Sequence, residues 1–306
     1  MIIVRVPLRL SIAGGGTDLK SWYKEHGSMF ISAAIDKYIY ITYHRSQFDP
    51  RIRLRYSKME EVNNIEEIRH DIIRETFKQY GIKDHVELTS HAEIPSGTGL
   101  GSSGSFGVGI LHAIWGTGNA AQLALRATDI QMNILKHPIG VQDQYAAAYG
   151  GTNVYTIQKR RWFDNEEREE IQIKPIEPPQ GLELFYTGIK RDANEVLKAS
   201  TTEGLERIQE LAWDTKKALE SRDFHAYGEI MNEHWEYKKK RGNMTNPQID
   251  EWYKLGLKNG AVGGKLVGAG GGGFLMFYTE DKEKLIRAMP LRHVPFAYDT
   301  EGSKIL

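Results

Sequence analysis

The sequence contains no cysteine and no surplus of either charge. Its 306 residues include 40 Lys and Arg against 40 Asp and Glu, so the formal net charge is zero. Without cysteine, the chain can form no disulfide, no thiolate metal site and no cysteine nucleophile. A neutral chain has no overall field that attracts nucleic acid or an anionic membrane, so any anion-binding site must be local. We therefore expect neither nucleic acid nor membrane as a partner.

Long hydrophobic runs are also missing. No stretch reaches the roughly 18 apolar residues that a membrane helix needs, and the first residues, MIIVRVP, lack the apolar core and cleavage site of a signal peptide. Together with the absence of cysteine, which suits a reducing compartment, this predicts a soluble cytoplasmic protein. The length suggests about two domains, and the composition does not distinguish a monomer from a homodimer.

Glycine, by contrast, is concentrated in a loop that reads IPSGTGLGSSGSF over residues 94–106 and runs into an apolar, helix-like segment. Glycines with positive φ bring backbone N–H groups close to an anion, and the N-terminus of the following helix points its unpaired N–H groups at the same place. Serine hydroxyls can reach a phosphate oxygen or a magnesium ion. The pattern predicts a loop that binds the phosphates of a nucleotide through Pro95, Gly97, Gly99, Leu100, Gly101, Ser102, Ser103 and Ser105.

Two common phosphate-binding motifs do not fit this loop. A Walker A loop needs a lysine after its glycines, and no lysine occurs between Pro95 and Trp115. Residues 99–104 match G-x-G-x-x-G, but a dinucleotide-binding fold places that motif after a continuous buried strand, whereas residues 85–91 alternate between polar and apolar. A dinucleotide-dependent oxidoreductase is therefore a weak alternative, as is a glycine-rich turn without a ligand.

The remaining pattern predicts an α+β protein in both halves of the chain. The charged stretch 159–170 interrupts the hydrophobic pattern, so we place a domain boundary there, between domains 1–160 and 161–306. Periodicity predicts strands at 2–12, 30–43, 51–56, 152–157, 182–187, 262–267 and 273–278, and helices at 19–26, 59–80, 120–135, 141–149, 201–221, 224–240, 248–259 and 282–289.

A second glycine-rich segment, GAGGGG at residues 268–273, lies between two predicted strands. So many glycines exceed the need of a two-residue hairpin, which favours close approach of the backbone to a ligand over a plain turn. Three segments now resemble, in order, the three motifs of the GHMP kinases: VPLRLSIAGGGTD at 6–18, PSGTGLGSS at 95–103 and GKLVGAGGGGF at 264–274.

Four further phrases resemble the heptose 7-phosphate kinase branch of that family: residues 10–18, RYSK at 55–58, GVQDQYAAAYGG at 140–151 and HWEYKK at 234–239. The resemblance implies an ATP- and Mg²⁺-dependent sugar kinase that phosphorylates the anomeric C1 hydroxyl of a sugar phosphate such as D-glycero-D-manno-heptose 7-phosphate. It also implies a two-domain fold, with an N-terminal domain like ribosomal protein S5 domain 2 and a ferredoxin-like C-terminal domain. Another GHMP kinase, acting on a galactose- or fucose-like sugar or a mevalonate-type precursor, and a non-catalytic sugar-binding relative remain alternatives.

The resemblance also implies roles for single residues. Asp143 matches the catalytic base, and Arg9 matches the basic residue beside it and the transferred phosphoryl group. The alternatives are an N-cap or helix-dipole partner for Asp143 and a solvent-facing strand arginine for Arg9. Ser103 matches a magnesium ligand. Asp18 matches a residue that binds sugar hydroxyls, unless it caps a helix. The other residues expected to bind substrate are Gly15, Gly16, Thr17, Gly270 and Gly271.

Gln131 departs from the pattern, since related kinases have there a glutamate that completes the magnesium site. A neutral amide is a weaker ligand for a hard cation than a carboxylate. Either Asp129 or water replaces the glutamate, or metal binding is weakened, or the register differs by a turn.

The substrate's own phosphate requires cationic or N–H donors away from Arg9 and the nucleotide loop. Residues 187–192 follow a predicted strand and offer Lys190 and Arg191 at a turn, and we expect Arg191 to bind that phosphate. Lys238 and Lys239 form a second candidate cluster. Solvated surface charges are the alternative at both places.

Overall fold

The computed structural model of the chain describes residues 1–161, 167–190 and 193–306. Its strands form one eight-stranded and one four-stranded sheet within these ranges. No helix of the described residues is long and apolar enough to cross a membrane. The strands are Ile2–Ala13 (β1), Ser28–Arg45 (β2), Ile52–Arg55 (β3), Met59–Val62 (β4), Val86–Ala92 (β5), Thr152–Arg161 (β6), Glu167–Pro175 (β7), Leu182–Tyr186 (β8), Ala261–Leu266 (β9), Phe274–Thr279 (β10), Arg292–His293 (β11) and Lys304–Ile305 (β12).

The helices follow the predicted order along most of the chain. A 3₁₀ turn at Ile65–Glu67 and a π-helical turn at Asp129–Ile134 accompany them. The α-helices are Lys20–His26 (α1), Asp71–Gln79 (α2), Ser102–Trp115 (α3), Ala120–Thr128 (α4), Gln142–Tyr149 (α5), Ala193–Ala199 (α6), Leu205–Glu220 (α7), Phe224–Lys239 (α8), Pro247–Lys258 (α9) and Lys282–Ala288 (α10).

The larger sheet has the order β12-β1-β2-β5-β3-β4, and β6 and β7 extend it from β2. The hairpin of β1 and β2 forms its centre, and helices α3, α5 and α7 pack on these two strands. Apolar residues alternate with other residues along residues 2–12, which predicts a strand with one buried face and Arg9 and Ser11 on the other. In the structure every residue from Val6 to Ala13 is buried, because helices cover this strand and enclose Arg9 and Ser11 as well.

The smaller sheet is antiparallel in the order β11-β8-β10-β9. Helices α8 and α9 pack against β9. A second core cluster forms there around fully buried aromatic side chains such as Trp235, Phe185 and Phe277. The α+β prediction is thereby confirmed.

The charged stretch near residue 160 does not separate the two sheets. β6 and β7 flank it and pair as a hairpin of the larger sheet, from Asn153 with Pro175 to Arg161 with Glu167. The smaller sheet begins with β8. We therefore propose that the two domains divide between Pro175 and Leu182 rather than at 160/161, with β12 returning to the first sheet.

One predicted helix is wrong in its first half. Residues 59–80 contain β4, the 3₁₀ turn and only then α2. β4 pairs with β3, and the carboxylate of Glu60 accepts hydrogen bonds from the backbone N–H groups of Arg69, at 2.7 Å, and His70, at 3.2 Å. These tertiary contacts override the helical spacing of the apolar residues.

Candidate active site

A cavity of about 1060 Å³ lies where the three glycine-rich segments meet. This volume lies at the upper end of the range for small-molecule sites. The structure thus brings together residues that lie far apart in the sequence. Those that line it and were predicted from the sequence are Arg9, Gly15, Gly16, Asp18, Pro95, Gly97, Gly99, Gly101, Ser102, Ser103, Asp143, Lys190 and Lys238.

The nucleotide loop has the backbone that its glycines predict. Gly97, Gly99 and Gly101 have φ angles of 76°, 86° and 78°, and Gly101 is the N-cap of α3. Ser102 and Ser103, the first residues of this helix, line the cavity. The unpaired N–H groups of a 14-residue helix therefore begin at the cavity wall, which is suited to an anion.

Two residues of the predicted loop do not reach the cavity. Ser105 is fully buried and its hydroxyl donates to the carbonyl of Pro7 at 2.8 Å, so it cannot bind a phosphate as expected. Leu100 is 1% exposed, and its carbonyl accepts from the N–H of Arg9 at 3.0 Å. Both residues attach the loop to β1.

The third motif, at residues 264–274, lies close to backbone of the protein itself. A Cβ at Gly273 would lie 2.1 Å from the carbonyl oxygen of Thr98, and a Cβ at Gly99 would lie 2.3 Å from that of Val267. Gly271 donates its N–H to Met244 O at 2.8 Å, and a Cβ on Gly270 would meet the same methionine. The expectation that Gly270 and Gly271 contact substrate is therefore corrected, because the close approach is to Met244 and not to the cavity.

Arg9 and Asp143 form an ion pair in the cavity wall. Arg9 donates from Nε at 2.8 Å, and its Nη2 lies at 2.6 Å, both to Oδ1 of Asp143. Its Nη1 donates to the carbonyl of Gly99 at 2.5 Å. In the part of the chain that the structure describes, Oδ2 of Asp143 accepts no hydrogen bond, so it is available to a ligand in the cavity.

The structure excludes a solvent-facing position for Arg9 and an N-cap role for Asp143, whereas a favourable interaction of Asp143 with the dipole of α5 remains compatible with its place in the first turn. Arg9 is 5% exposed, so it is not a solvent-facing strand arginine. Helix α5 begins after Val141 without a side-chain cap, so Asp143, its second residue, is not the N-cap. A Cβ at Gly104 would lie 2.4 Å from the Cβ of Asp143, which means that α3 packs this closely only because residue 104 is glycine.

Asp18 lies nearly buried, at 7% exposure, in the first glycine segment. Its Oδ1 accepts from the N–H of Gly16 at 2.9 Å and its Oδ2 from that of Gln142 at 3.2 Å. Burial raises the pKa of Asp18, and the charge of Asp143 raises it further. The N-cap of α1 is Leu19, so Asp18 does not cap that helix. It connects the first segment to the start of α5 instead.

Thr17 has a structural role. Its side chain is fully buried and its hydroxyl lies 2.8 Å from the carbonyl of Gly14, to which it donates, and 2.8 Å from the hydroxyl of Ser28. It does not line the cavity, which corrects the expectation that it binds substrate. Gly15 and Gly16 do line it.

Gln131 is fully buried in the π-helical turn, away from the cavity. Its side-chain amide lies 3.3 Å from that of Gln144 and packs against Gly107, where a Cβ would approach its Nε2 to 2.3 Å. Gln131, which the sequence pattern offered only as a weak metal ligand, therefore does not reach the cavity. Asp129 does not replace it, because its carboxylate accepts from Asn133 at 2.8 Å and does not line the cavity. Among the described residues no cluster of three or more His, Cys, Asp or Glu could hold a metal.

Several cavity residues were given no role by the sequence interpretation, among them the basic residues His234, Arg241 and Lys265. His234, Lys238 and Arg241 occur at positions i, i+4 and i+7 along α8 and its continuation, so they share one face of the helix. This helical spacing was a usable signal in the sequence. Lys239 lies outside the cavity and pairs with Glu236 at 2.7 Å. Arg191 lies outside the described residues.

Part of the cavity lining is aromatic and apolar. The ring of His70 lies 4.9 Å from that of Phe106 and 4.8 Å from that of Tyr56. Ile39, Ile72 and other apolar side chains line the same cavity. Such a surface suits a flat, weakly polar ring.

Comparison with known proteins defines the class. The model of the GHMP kinases N terminal domain matches residues 67–151, and that of the GHMP kinases C terminal domain matches residues 215–294. The two matches together span more than half of the sequence, and the chain belongs to the GHMP kinases. The predicted GHMP fold and the kinase class are confirmed, and the oxidoreductase alternative is set aside.

The particular relatives follow from similarity over the whole chain. D-glycero-alpha-D-manno-heptose 7-phosphate kinase of Campylobacter jejuni is 29% identical over 99% of this chain and 98% of its own length. The crystal structure of a D-glycero-D-manno-heptose 1-phosphate kinase from Bacteroides thetaiotaomicron has a TM-score of 0.77 at 24% identity and covers 100% of this chain and 99% of that one. Phosphomevalonate kinase of Streptococcus pneumoniae reaches a TM-score of 0.80 at 16% identity, over 97% and 100% of the two chains, so these two structures show the fold alone.

Proposed function

We propose that this GHMP kinase transfers the γ-phosphoryl group of ATP to the anomeric C1 hydroxyl of a sugar phosphate, with D-glycero-D-manno-heptose 7-phosphate as its substrate. The observation that carries the proposal is the Arg9–Asp143 pair, placed between the nucleotide loop and the Asp18 segment in one cavity. The full-length similarity to a heptose 7-phosphate kinase supports the choice of substrate.

The chemistry requires a group that takes the hydroxyl proton while the oxygen attacks phosphorus. Oδ2 of Asp143 accepts no hydrogen bond from the described residues, so a C1 hydroxyl can donate to it. Arg9 holds the other carboxylate oxygen by two of its nitrogens, which fixes the direction in which Oδ2 points. In this mechanism Asp143 is the general base, and the guanidinium of Arg9 stabilises negative charge that develops on the phosphoryl group.

Asp18 is suited to orient the sugar. Each of its two carboxylate oxygens accepts one hydrogen bond from a backbone N–H group, and each retains a lone pair for a sugar hydroxyl. A carboxylate held in this way by the backbone adopts one geometry, which reduces the entropy lost on binding.

ATP and its metal fit the part of the cavity that the nucleotide loop forms. The loop N–H groups and the hydroxyls of Ser102 and Ser103 would hold the phosphates. Magnesium usually keeps several waters and binds through nucleotide phosphates and few protein ligands, so a single hydroxyl, that of Ser103, fits such an ion although Gln131 and Asp129 do not reach it. The ion would neutralise phosphate charge. The aromatic surface of Tyr56, His70 and Phe106 would accept the adenine ring.

A phosphate-transfer assay tests the substrate and the position together. The purified protein is incubated with Mg-ATP and heptose 7-phosphate, heptose, mannose 6-phosphate, galactose or mevalonate, and the product is identified by phosphorus NMR. We expect turnover of the heptose phosphate and a glycosyl 1-phosphate product. Phosphorylation at another hydroxyl, or turnover of mevalonate or unphosphorylated sugars alone, would reject the proposal.

Asp143→Asn tests the assignment of the base. The amide keeps the shape but cannot accept the proton, so kcat should fall by roughly 10²- to 10⁴-fold with ATP affinity nearly unchanged. Asp129→Asn is the matched control, since this carboxylate lies outside the cavity and bonds only to Asn133 among the described residues. If Asp143→Asn retains most of its turnover, the residue is not the base.

A further inference from the structure

One wall of the cavity is built from basic side chains that are almost fully buried. His234 and Lys238 lie on α8, Arg241 follows its end, and Lys265 lies on β9. Their exposures are 4%, 7%, 3% and 2%. Lysine and arginine are seldom buried to this extent unless an acidic partner neutralises them.

The partners of Arg241 and Lys265 are neutral. Arg241 donates from Nε to the carbonyl of Thr201 at 3.0 Å. Lys265 donates from Nζ to the carbonyl of Ile12 at 2.7 Å and lies 3.3 Å from Nδ1 of His234. Within residues 1–161, 167–190 and 193–306, neither cation has a carboxylate at ion-pair distance. The described residues therefore compensate both charges incompletely.

The pKa values of three of these basic side chains are lowered. Burial lowers the pKa of Arg241, although the charge of Asp18 opposes the shift. Burial and then the charge of Arg9 lower the pKa of Lys265 to about 7. Burial, followed by the charges of Lys265, Lys238 and Arg241, lowers the pKa of His234, and among the described residues its Nε2 has no hydrogen-bond partner. An anion in the cavity would compensate the positive charges of Arg241 and Lys265.

The position of the wall indicates which ligand supplies that anion. Nη1 of Arg241 lies 2.3 Å from the point that a Cβ of Gly16 would occupy, and Gly16 is hydrogen-bonded to Asp18. Lys265 contacts the same chain segment at Ile12. Both cations thus lie against the first glycine segment, where the sugar is proposed to bind, whereas the ATP phosphates have their own N–H groups at the start of α3.

We propose that Arg241 and Lys265 form the subsite for the phosphate monoester that the sugar substrate carries before the reaction. This inference rests on the proposed function. A phosphate monoester carries close to two negative charges, and the planar fork of a guanidinium matches two of its oxygens. Arg241 recognises the ester, Lys265 adds the second charge, and together they favour the phosphorylated sugar over the free one.

Arg241→Met tests the subsite, because methionine keeps the apolar stem and removes the charge. The KM for heptose 7-phosphate should rise roughly 10- to 100-fold, the scale of one charge-assisted hydrogen-bonded pair. The preference for heptose 7-phosphate over heptose, expressed as a ratio of kcat/KM values, should fall by the same factor, and the KM for ATP should stay within about two-fold. Lys239→Met is the matched control. Lys239 lies outside the cavity and pairs with Glu236, so this variant removes a nearby cation without changing the cavity wall.

Thermal unfolding separates recognition from a structural role. Removing an uncompensated buried charge should leave the Tm of the unliganded protein unchanged or raise it, while the rise in Tm that heptose 7-phosphate causes without nucleotide should be lost. Lys265→Met provides the same two readouts should Arg241→Met fail to fold.

The outcomes are distinguishable. If the wild-type protein phosphorylates heptose 7-phosphate and Arg241→Met does so with the same KM, the subsite is wrong while the function stands. Equal losses on heptose 7-phosphate and heptose, or a raised KM for ATP alone, would also overturn the subsite. A wild-type protein that phosphorylates no sugar phosphate rejects the proposed function itself.

Discussion

Replacing Gly101 by alanine tests whether the nucleotide loop sets the position of the Arg9–Asp143 pair. A Cβ on Gly101 would lie 3.1 Å from Cγ of Arg9 and 3.2 Å from Cγ of Asp143. Carbon atoms in normal contact lie about 3.5–4.0 Å apart. The pair must therefore move by about half an ångström, since the added atom cannot.

The magnitude follows from two separate costs. Alanine in the left-handed backbone conformation costs about 1–2 kcal/mol in stability. A misplacement of about 1 Å in an active site can cost on the order of 10²-fold in rate, so half that displacement should lower kcat about 10-fold. The larger Gly101→Val should in addition weaken ATP binding, because the N–H groups of the loop must also move.

Gly116 offers a matched control at the other end of the same helix. It has a φ of 71°, close to the 78° of Gly101, and no atom lies within 4 Å of where its Cβ would be. Gly116→Ala should lose similar stability, a few degrees in Tm, and keep kcat within about two-fold. Steady-state kinetics and thermal unfolding of both variants check this. Equal kcat values for the two variants would refute the argument that loop geometry sets the catalytic pair.

Three further predictions follow from burial. Gly140→Ala would put a Cβ 1.8 Å from Oδ2 of Asp18, so the displaced carboxylate should raise the KM for the sugar about 10-fold and leave that for ATP nearly unchanged; an unaltered sugar KM would contradict this role of Asp18. Gln131→Glu should lower the free energy of unfolding by roughly 1–3 kcal/mol, because it buries a carboxylate, without changing the magnesium dependence of activity; tighter magnesium binding would show that residue 131 reaches the metal. Lys265 has a pKa of about 7 when folded and an ordinary value of 10.5 when unfolded. At pH values between these two pKa values, the unfolded chain keeps the Lys265 proton that the folded chain has released. The free energy of unfolding should therefore rise with pH, by at most about 1.4 kcal/mol per pH unit. Urea unfolding at several pH values should show this rise weakened in Lys265→Met, and identical slopes would contradict it.

Local sequence was enough where a backbone conformation or a periodic pattern determines the structure. Glycines at 97, 99 and 101 predicted a loop with positive φ, and each of them has it. The alternation in residues 2–12 predicted β1 to within a residue at its end. Such features depend on neighbours in the chain, so they can be recognised without knowledge of the fold.

The wrong assignments share one cause, which is that the direction of a side chain depends on what packs against it. Ser105 and Ser103 lie two residues apart in the same helix, yet the first bonds to β1 and the second lines the cavity. Gly270 resembles a ligand-binding glycine but approaches Met244. Gln131 occupies a metal-ligand position in the sequence pattern and a packing position against Gly107 in space.

Tertiary contacts bring Arg241 and Lys265 into the same cavity wall. Helical spacing relates Arg241 to His234 and Lys238, but it does not show that this face is buried, and surface exposure is the default for lysine and arginine. The third motif, at residues 264–274, packs against the nucleotide loop. Their backbones come close together at Gly99, Gly268 and Gly273. β9, which leads into that segment, brings Lys265 within hydrogen-bond distance of Ile12. The sequence by itself thus determined where phosphate can be held by backbone N–H groups, because that depends on local φ. Which charges surround the substrate depends on contacts between residues more than 200 positions apart, and only the folded chain brings these together.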